Sequence, residues 1–212
     1  MGKWQLAGST AVIALLAGTG AFGDVTPEEV WQNWQDMSAS YGQAVTAADA
    51  ARDGDALVVS NITVAYEKDG VKVEGTIEEI TFTDQGDGTV EVTMSNSYPL
   101  KVTVPGMATD GAPAEPTNLD ITVTEPGMAL TASGTAAAIS YDFNAPTLDV
   151  KLVASDGAAA EPAATVQINL TNVTGNYLVE GDATARKISS AFTADTAAVS
   201  LVGADKETQS DV

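Results

Sequence analysis

After Ala50 the chain alternates Val, Thr and Ile with polar residues and cuts the pattern with Asp-Gly pairs, at Asp53-Gly54, Asp69-Gly70, Asp87-Gly88, Asp110-Gly111 and Asp156-Gly157. A period of two places successive side chains on opposite faces of an extended strand, and Asp-Gly suits the positive-φ positions of tight hairpins. Clean alternation runs through Ile62, Val64 and Tyr66; Val90, Val92 and Met94; and Tyr98, Leu100, Val102 and Val104. It continues in Leu119, Ile121 and Val123; Leu148, Val150 and Leu152; and Val166, Ile168 and Leu170. Each strand therefore carries one apolar and one polar face, as antiparallel sheets do. In GVKVEGTIEEITF the apolar parity switches between Ile77 and Ile80, which predicts a bulge or a strand break there.

One segment reads differently. In TPEEVWQNWQDMSASY, Thr26 is placed as an N-cap, Pro27 at the first helical position and Glu29 three residues after the cap. These are the components of a capping box and predict a helix from Thr26 to about Tyr41. Val30, Trp34, Met37 and Tyr41 form its apolar stripe, with Trp31 at the border.

Laid against itself, the chain repeats. Residues 135–153, TAAAISYDFNAPTLDVKLV, align at an offset of 49 with residues 184–202, TARKISSAFTADTAAVSLV, and 10 of 19 positions are identical. A fainter offset of 59 relates Asn61–Val64 to Asp120–Val123 and Ile80 to Ile139. Three units follow, at about 61–94, 120–153 and 167–202, joined by the loop-like runs MATDGAPAEPT and ASDGAAAEPAA. A meander with one apolar face cannot hide that face alone, so successive units must continue one sheet or fold over one another.

The expected fold is mainly β: antiparallel meander repeats forming a curved sheet or sandwich, with one N-terminal amphipathic helix. The expected organisation is a signal peptide over 1–23, a helical segment over 24–50, a β-repeat domain over 51–203 and a polar tail over 204–212. The signal peptide is read from Lys3, the apolar stretch Leu6–Ala17 and the small-x-small site Ala21-Phe22-Gly23. That apolar stretch is too short for a membrane span, and none is expected after cleavage. The absence of cysteine excludes disulfides and fits a bacterial periplasm better than a eukaryotic secreted fluid. The sequons at Asn61, Asn169 and Asn172 carry no weight in that setting.

Composition also excludes chemistries. A formal net charge of -20 opposes phosphate backbones and anionic lipid surfaces, so nucleic acid is not a partner. With no His and no Cys, catalytic triads, thiol nucleophiles and imidazole or thiolate metal sites are absent. Glu78, Glu79 and Glu74 are the carboxylates a glycosidase would need, but neighbours in a strand point to opposite faces. The turn TDQGDG, with Asp84 and Asp87, lacks the ligand series of a calcium loop and reads as a hairpin turn. Neither a metal nor a cofactor is expected, and no enzymatic activity.

The runs DVTPEEVWQNWQDMSASYGQ, ARDGDALVVSNITV and TFTDQGDGTVEVTMSNSYP resemble the DUF2125 family of exported alphaproteobacterial proteins. The resemblance implies a periplasmic location and brings no activity or site residue. At the level of fold, meanders with one apolar face also resemble the AsmA-like periplasmic β-repeat proteins, whose curved sheets form lipid-lining grooves.

The expected function is a periplasmic, non-enzymatic binding or scaffolding module whose apolar sheet interior accepts a lipid or other hydrophobic small molecule. Trp31, Trp34 and Tyr41 are the candidate ligand-binding residues, because they combine large apolar area with a place on the helix that caps the sheet. Two alternatives stay open: a dry structural or protein-interaction module that meets another envelope protein, and a carboxylate-dependent glycan hydrolase.

Overall fold

The structure, a computed structural model, describes residues 24–106, 116–154, 165–181, 185–202 and the backbone of 207–211. The expected signal peptide and both repeat joins lie outside the described residues, apart from their flanking positions. Helix α1 spans Pro27–Ser40, and its capping box is formed: the Glu29 amide donates to Thr26 Oγ1 at 3.3 Å and the Thr26 amide to Glu29 Oε2 at 2.9 Å. The strands are β1 (Gln43–Asp53), β2 (Ala56–Lys68), β3 (Val71–Asp84), β4 (Val90–Met94), β5 (Ser97–Val104) and β6 (Thr117–Thr124). They continue as β7 (Ala129–Thr135), β8 (Ala138–Ala154), β9 (Thr165–Glu180), β10 (Lys187–Thr193), β11 (Thr196–Val202) and β12 (Glu207–Asp211).

The 12 strands of the described residues belong to one antiparallel sheet. The protein is therefore mainly β, with one helix among the described residues, and of the two expected arrangements these residues form the single sheet, since a sandwich needs a second one. Asp69 and Gly70, at φ 54 and 81, make the two-residue turn between β2 and β3 that Asp-Gly predicts.

Two boundaries differ from expectation. The sheet starts at Gln43 rather than after Ala50, so the predicted helical segment 24–50 ends in a strand. The run QAVTAADAARD has poor intrinsic strand propensity and is held extended by pairing along β2, from Gln43 opposite Tyr66 to Asp53 opposite Ala56. Within the expected polar tail, Glu207–Asp211 pairs with β11.

The sheet is bent along one line that crosses it. On β2 the buried residues are Leu57 and Val59 before Asn61 and Ile62 after it; on β3 the inner set shifts from Val73, Gly75 and Ile77 to Ile80 and Phe82 across the exposed Glu78 and Glu79. This is the parity switch visible in the sequence, and Asn61 makes it with φ 51. The same event recurs where Pro146 of β8 stands between the pairs Ala145–Val173 and Thr147–Thr171, beside Asn172 of β9 at φ 48. Asparagine tolerates the left-handed region better than other non-glycine residues, and proline in a central strand is confined to such interruptions. The breaks between β4 and β5, β6 and β7, and β10 and β11 lie on the same line.

The bend divides the sheet into two halves, each with its own short strands. One half holds β4, β7 and β10 with the adjoining parts of β2, β3, β8 and β9, and it packs against α1. Its core is Val30 of the helix with Val59, Phe82, Val90, Val92, Ile139 and Tyr141, all at 0 % exposure. The other half holds β5, β6 and β11 with the remaining parts of the long strands, and among the described residues no helix covers it.

Candidate functional site

In the uncovered half, alternation gathers the apolar side chains into rows that run across the strands. Leu100, Ile121, Leu152, Val166 and Leu201 stand opposite one another from β5 to β11. Beside them run Tyr98, Val123, Val150, Ile168 and Val199. The first four of each row are half-buried, Val199 likewise, and Leu201 is 47 % exposed. Neighbours on the same face shield these residues in part, and among the described residues no second layer completes the burial. Lys101, Asp120, Lys151 and Gln167 alternate with them on the exposed face.

At the inner end of this surface, on the bend, sits Glu125. It follows Leu119, Ile121 and Val123 in the inner parity of β6, and its amide donates to the Asn96 carbonyl at 2.8 Å. The residue is only 6 % exposed, and its Oε1 is buried with no hydrogen-bond partner. Burial pushes its carboxyl up to about 7, because desolvation penalises the charged form. Tyr98, opposite Val123, feels the same surroundings: burial first, and then the Glu125 charge, push its phenol up to about 12. An unpaired buried carboxyl at the end of an apolar surface is costly to maintain.

The three aromatic residues expected to bind ligand take other places. Trp34 packs edge-on against Phe82 at 5.4 Å and tilted against Tyr141 at 6.3 Å, while Trp31 lies 5.9 Å from Phe82. Both indoles thus contact the core on the covered half. Tyr41 is the C-cap residue of α1 and is 61 % exposed, apart from the two tryptophans' partners. The structure does not bring the three side chains together around an open space.

The helix is anchored by polar contacts at both sides of the sheet. Tyr141 donates its hydroxyl to Asn33 Oδ1 at 2.9 Å inside the core, and its ring stacks on Tyr177 at 4.4 Å. Arg52 of β1 makes a two-pronged pair with Glu28, which holds that carboxyl below its usual range through its hydrogen bond to the guanidinium. On the opposite side Arg186 donates to the Asn33 carbonyl at 3.3 Å and lies 3.6 Å from Asp36. Arg186, Asn33 and Asp36, with Glu29 and Gln32, line a cleft of about 570 Å³ between α1 and the turns at Ala136 and Gly181.

Glu78 and Glu79 are adjacent and both exposed. In the β3–β4 turn, Asp84 Oδ1 accepts from the Gly86 amide at 2.8 Å, and Asp87 Oδ1 accepts from the amide and hydroxyl of Thr89 at 3.1 and 2.6 Å. Those carboxylates shape the turn. Among the described residues no group of three or more acidic side chains converges as a metal site, and no helix is long and apolar enough to cross a membrane.

Sequence reasoning missed Glu125 and the two bend asparagines. The signals were present: Glu125 continues the odd-numbered series Leu119, Ile121, Val123, and Asn61-Ile62-Thr63 and Asn172-Val173-Thr174 are the same tripeptide in conservative form. The chain matches no protein-family model, no curated protein and no solved structure.

Proposed function

We propose that the chain is an exported, periplasmic binding module, without enzymatic activity, whose uncovered sheet half receives an elongated hydrophobic ligand. The observation that carries this reading is the pair of apolar rows across β5, β6, β8, β9 and β11, only half-buried beside a half of the same sheet whose central residues, Val59, Phe82, Val90, Val92, Ile139 and Tyr141, are fully buried. A dry scaffold would bury the apolar face of both halves alike. Burying apolar surface contributes about 25 cal/mol per Å², or about 0.8 kcal/mol per methylene, so an acyl chain laid on these rows gains enough to bind without any catalytic group. Support for export comes from Lys3, the apolar stretch Leu6–Ala17, the site Ala21-Phe22-Gly23 and the lack of cysteine. The likeness to the DUF2125 exported proteins points the same way.

The test is native mass spectrometry of the mature protein purified from periplasm without detergent. The reading expects an added mass of lipid size that disappears in Ile121→Asp, which places a charge in the middle of the rows. A clean apo mass, together with failure of wild-type protein to displace or enhance a neutral naphthylamine dye, overturns it.

A further inference from the structure

The carboxyl of Glu125 is buried just past the end of β6. Its Oε1 meets no donor, whereas Arg186, whose side chain is also buried, directs two of its three nitrogens to α1 and so docks the helix. Glu125 lies on the inner parity of β6, next to Tyr98, where the apolar rows end against the covered half. A polar acceptor at the end of an apolar track is the arrangement that fixes the orientation of an amphiphile. We infer that Glu125 is the head-group anchor of the site, and that the ligand is a single-chain amphiphile whose head donates a hydrogen bond, a hydroxyl or an ammonium, to Glu125 Oε1.

The inference rests on the reading of the uncovered half as a hydrophobic-ligand site and narrows its ligand class. Charge complementarity does the narrowing. The net charge of -20 and the Glu125 carboxylate both repel a fatty-acid anion, whereas a neutral or cationic donor supplies the partner that Oε1 lacks. From Glu125 to Leu119 the track covers six residues of β rise, roughly 20 Å, long enough for the extended tail of such a molecule.

The experiment is displacement of N-phenyl-1-naphthylamine from the mature full-length protein by dodecanol, dodecylamine, dodecyl methyl ether and dodecanoate. It is run at about pH 8, above the raised value of Glu125, where the carboxylate accepts and cannot donate. Wild-type protein is expected to bind the alcohol and the amine at least about tenfold more tightly than the ether or the carboxylate, as a hydrogen bond to a charged group implies. Glu125→Leu should erase that preference while binding the ether as well as wild type does. Glu125→Gln, which keeps the shape, should lose the advantage of the amine and retain that of the alcohol; it decides the matter where the leucine variant does not fold. A donor preference unchanged in both variants overturns the anchor and leaves the apolar site standing. If none of the four compounds displaces the dye from wild type, the site itself falls, and the anchor with it.

Discussion

Ile139 and Ile188 stand on opposite sides of β9, each facing the same residue, Val179. The two isoleucines are matched by the sequence offset of 49, and the offset holds along the strand: Phe143 and Phe192 both face Gly175, and Leu152 and Leu201 both face Val166. Strand β8 on one side and β10 with β11 on the other are thus in one register on a shared central strand. The register needs a residue without a side chain at Gly175, where an added Cβ would lie 2.6 Å from the Ala191 carbonyl oxygen and 2.8 Å from both Phe143 Cζ and Phe192 Cβ. Gly175→Ala is therefore expected to cost about 1–3 kcal/mol through overpacking, read as a lowered midpoint in urea. An unchanged midpoint would mean that β10 is not held against β9.

Helix docking depends on one buried hydrogen bond. Tyr141→Phe removes the donor to Asn33 Oδ1 and leaves a buried carbonyl oxygen unsatisfied, an expected loss of about 1–3 kcal/mol with an unchanged denaturant slope. Asn33→Leu in the same background should restore part of that loss, because two apolar groups then face each other. A Tyr141→Phe midpoint equal to wild type would show that water replaces the bond.

What the sequence made legible was the part governed by local rules. Thr26, Pro27 and Glu29 marked the start of α1, Asp69-Gly70 marked a hairpin, and the parity switch after Ile77 marked the bend. Strand β1 escaped because its alanines and aspartates carry no alternation; it is extended only because β2 offers it a partner. The ligand residues were sought among aromatic side chains on an amphipathic helix, but Trp31 and Trp34 are the helix's own contacts to Phe82 and Tyr141. Glu125 is ordinary as a residue type and becomes unusual through the burial that strands far apart in sequence impose on it.

The raised carboxyl of Glu125 makes stability depend on pH with a definite sign. Its folded value of about 7 lies above the ordinary 4.5, so the fold favours the protonated form. The stability associated with this group is full below about pH 4.5, declines as pH rises through about 7, and is constant beyond. Tyr98 is the titratable group that faces it and stays neutral throughout that range. Glu125→Gln should therefore match wild type at acidic pH and exceed it at neutral pH, by up to about 3 kcal/mol before any allowance for solvent screening. Thermal melts of both proteins between about pH 4 and 8 measure the gap; a gap that is flat across this range would place the Glu125 carboxyl in contact with water.

The division of the sheet predicts that stability and ligand binding respond to different substitutions of the same kind. Val92 is at 0 % exposure among the core residues that face α1, so Val92→Ala opens a cavity in a close-packed region. Ile121 occupies the middle of an apolar row that remains half-exposed, and trimming it removes contacts only to its neighbours along the face. Val92→Ala is expected to lower stability by about 1–3 kcal/mol and leave dye binding intact in the folded protein. Ile121→Ala is expected to change stability by less than about 1 kcal/mol and to weaken binding of an apolar probe by roughly tenfold, as loss of two to three methylene contacts implies. Urea titration and dye titration on the same two variants measure both quantities. If Ile121→Ala proves as destabilising as Val92→Ala, the row is buried in solution and the uncovered half is closed by something other than ligand. If both variants bind the dye as wild type does, the dye sits elsewhere, and the cleft beside α1 at Arg186 becomes the place to look.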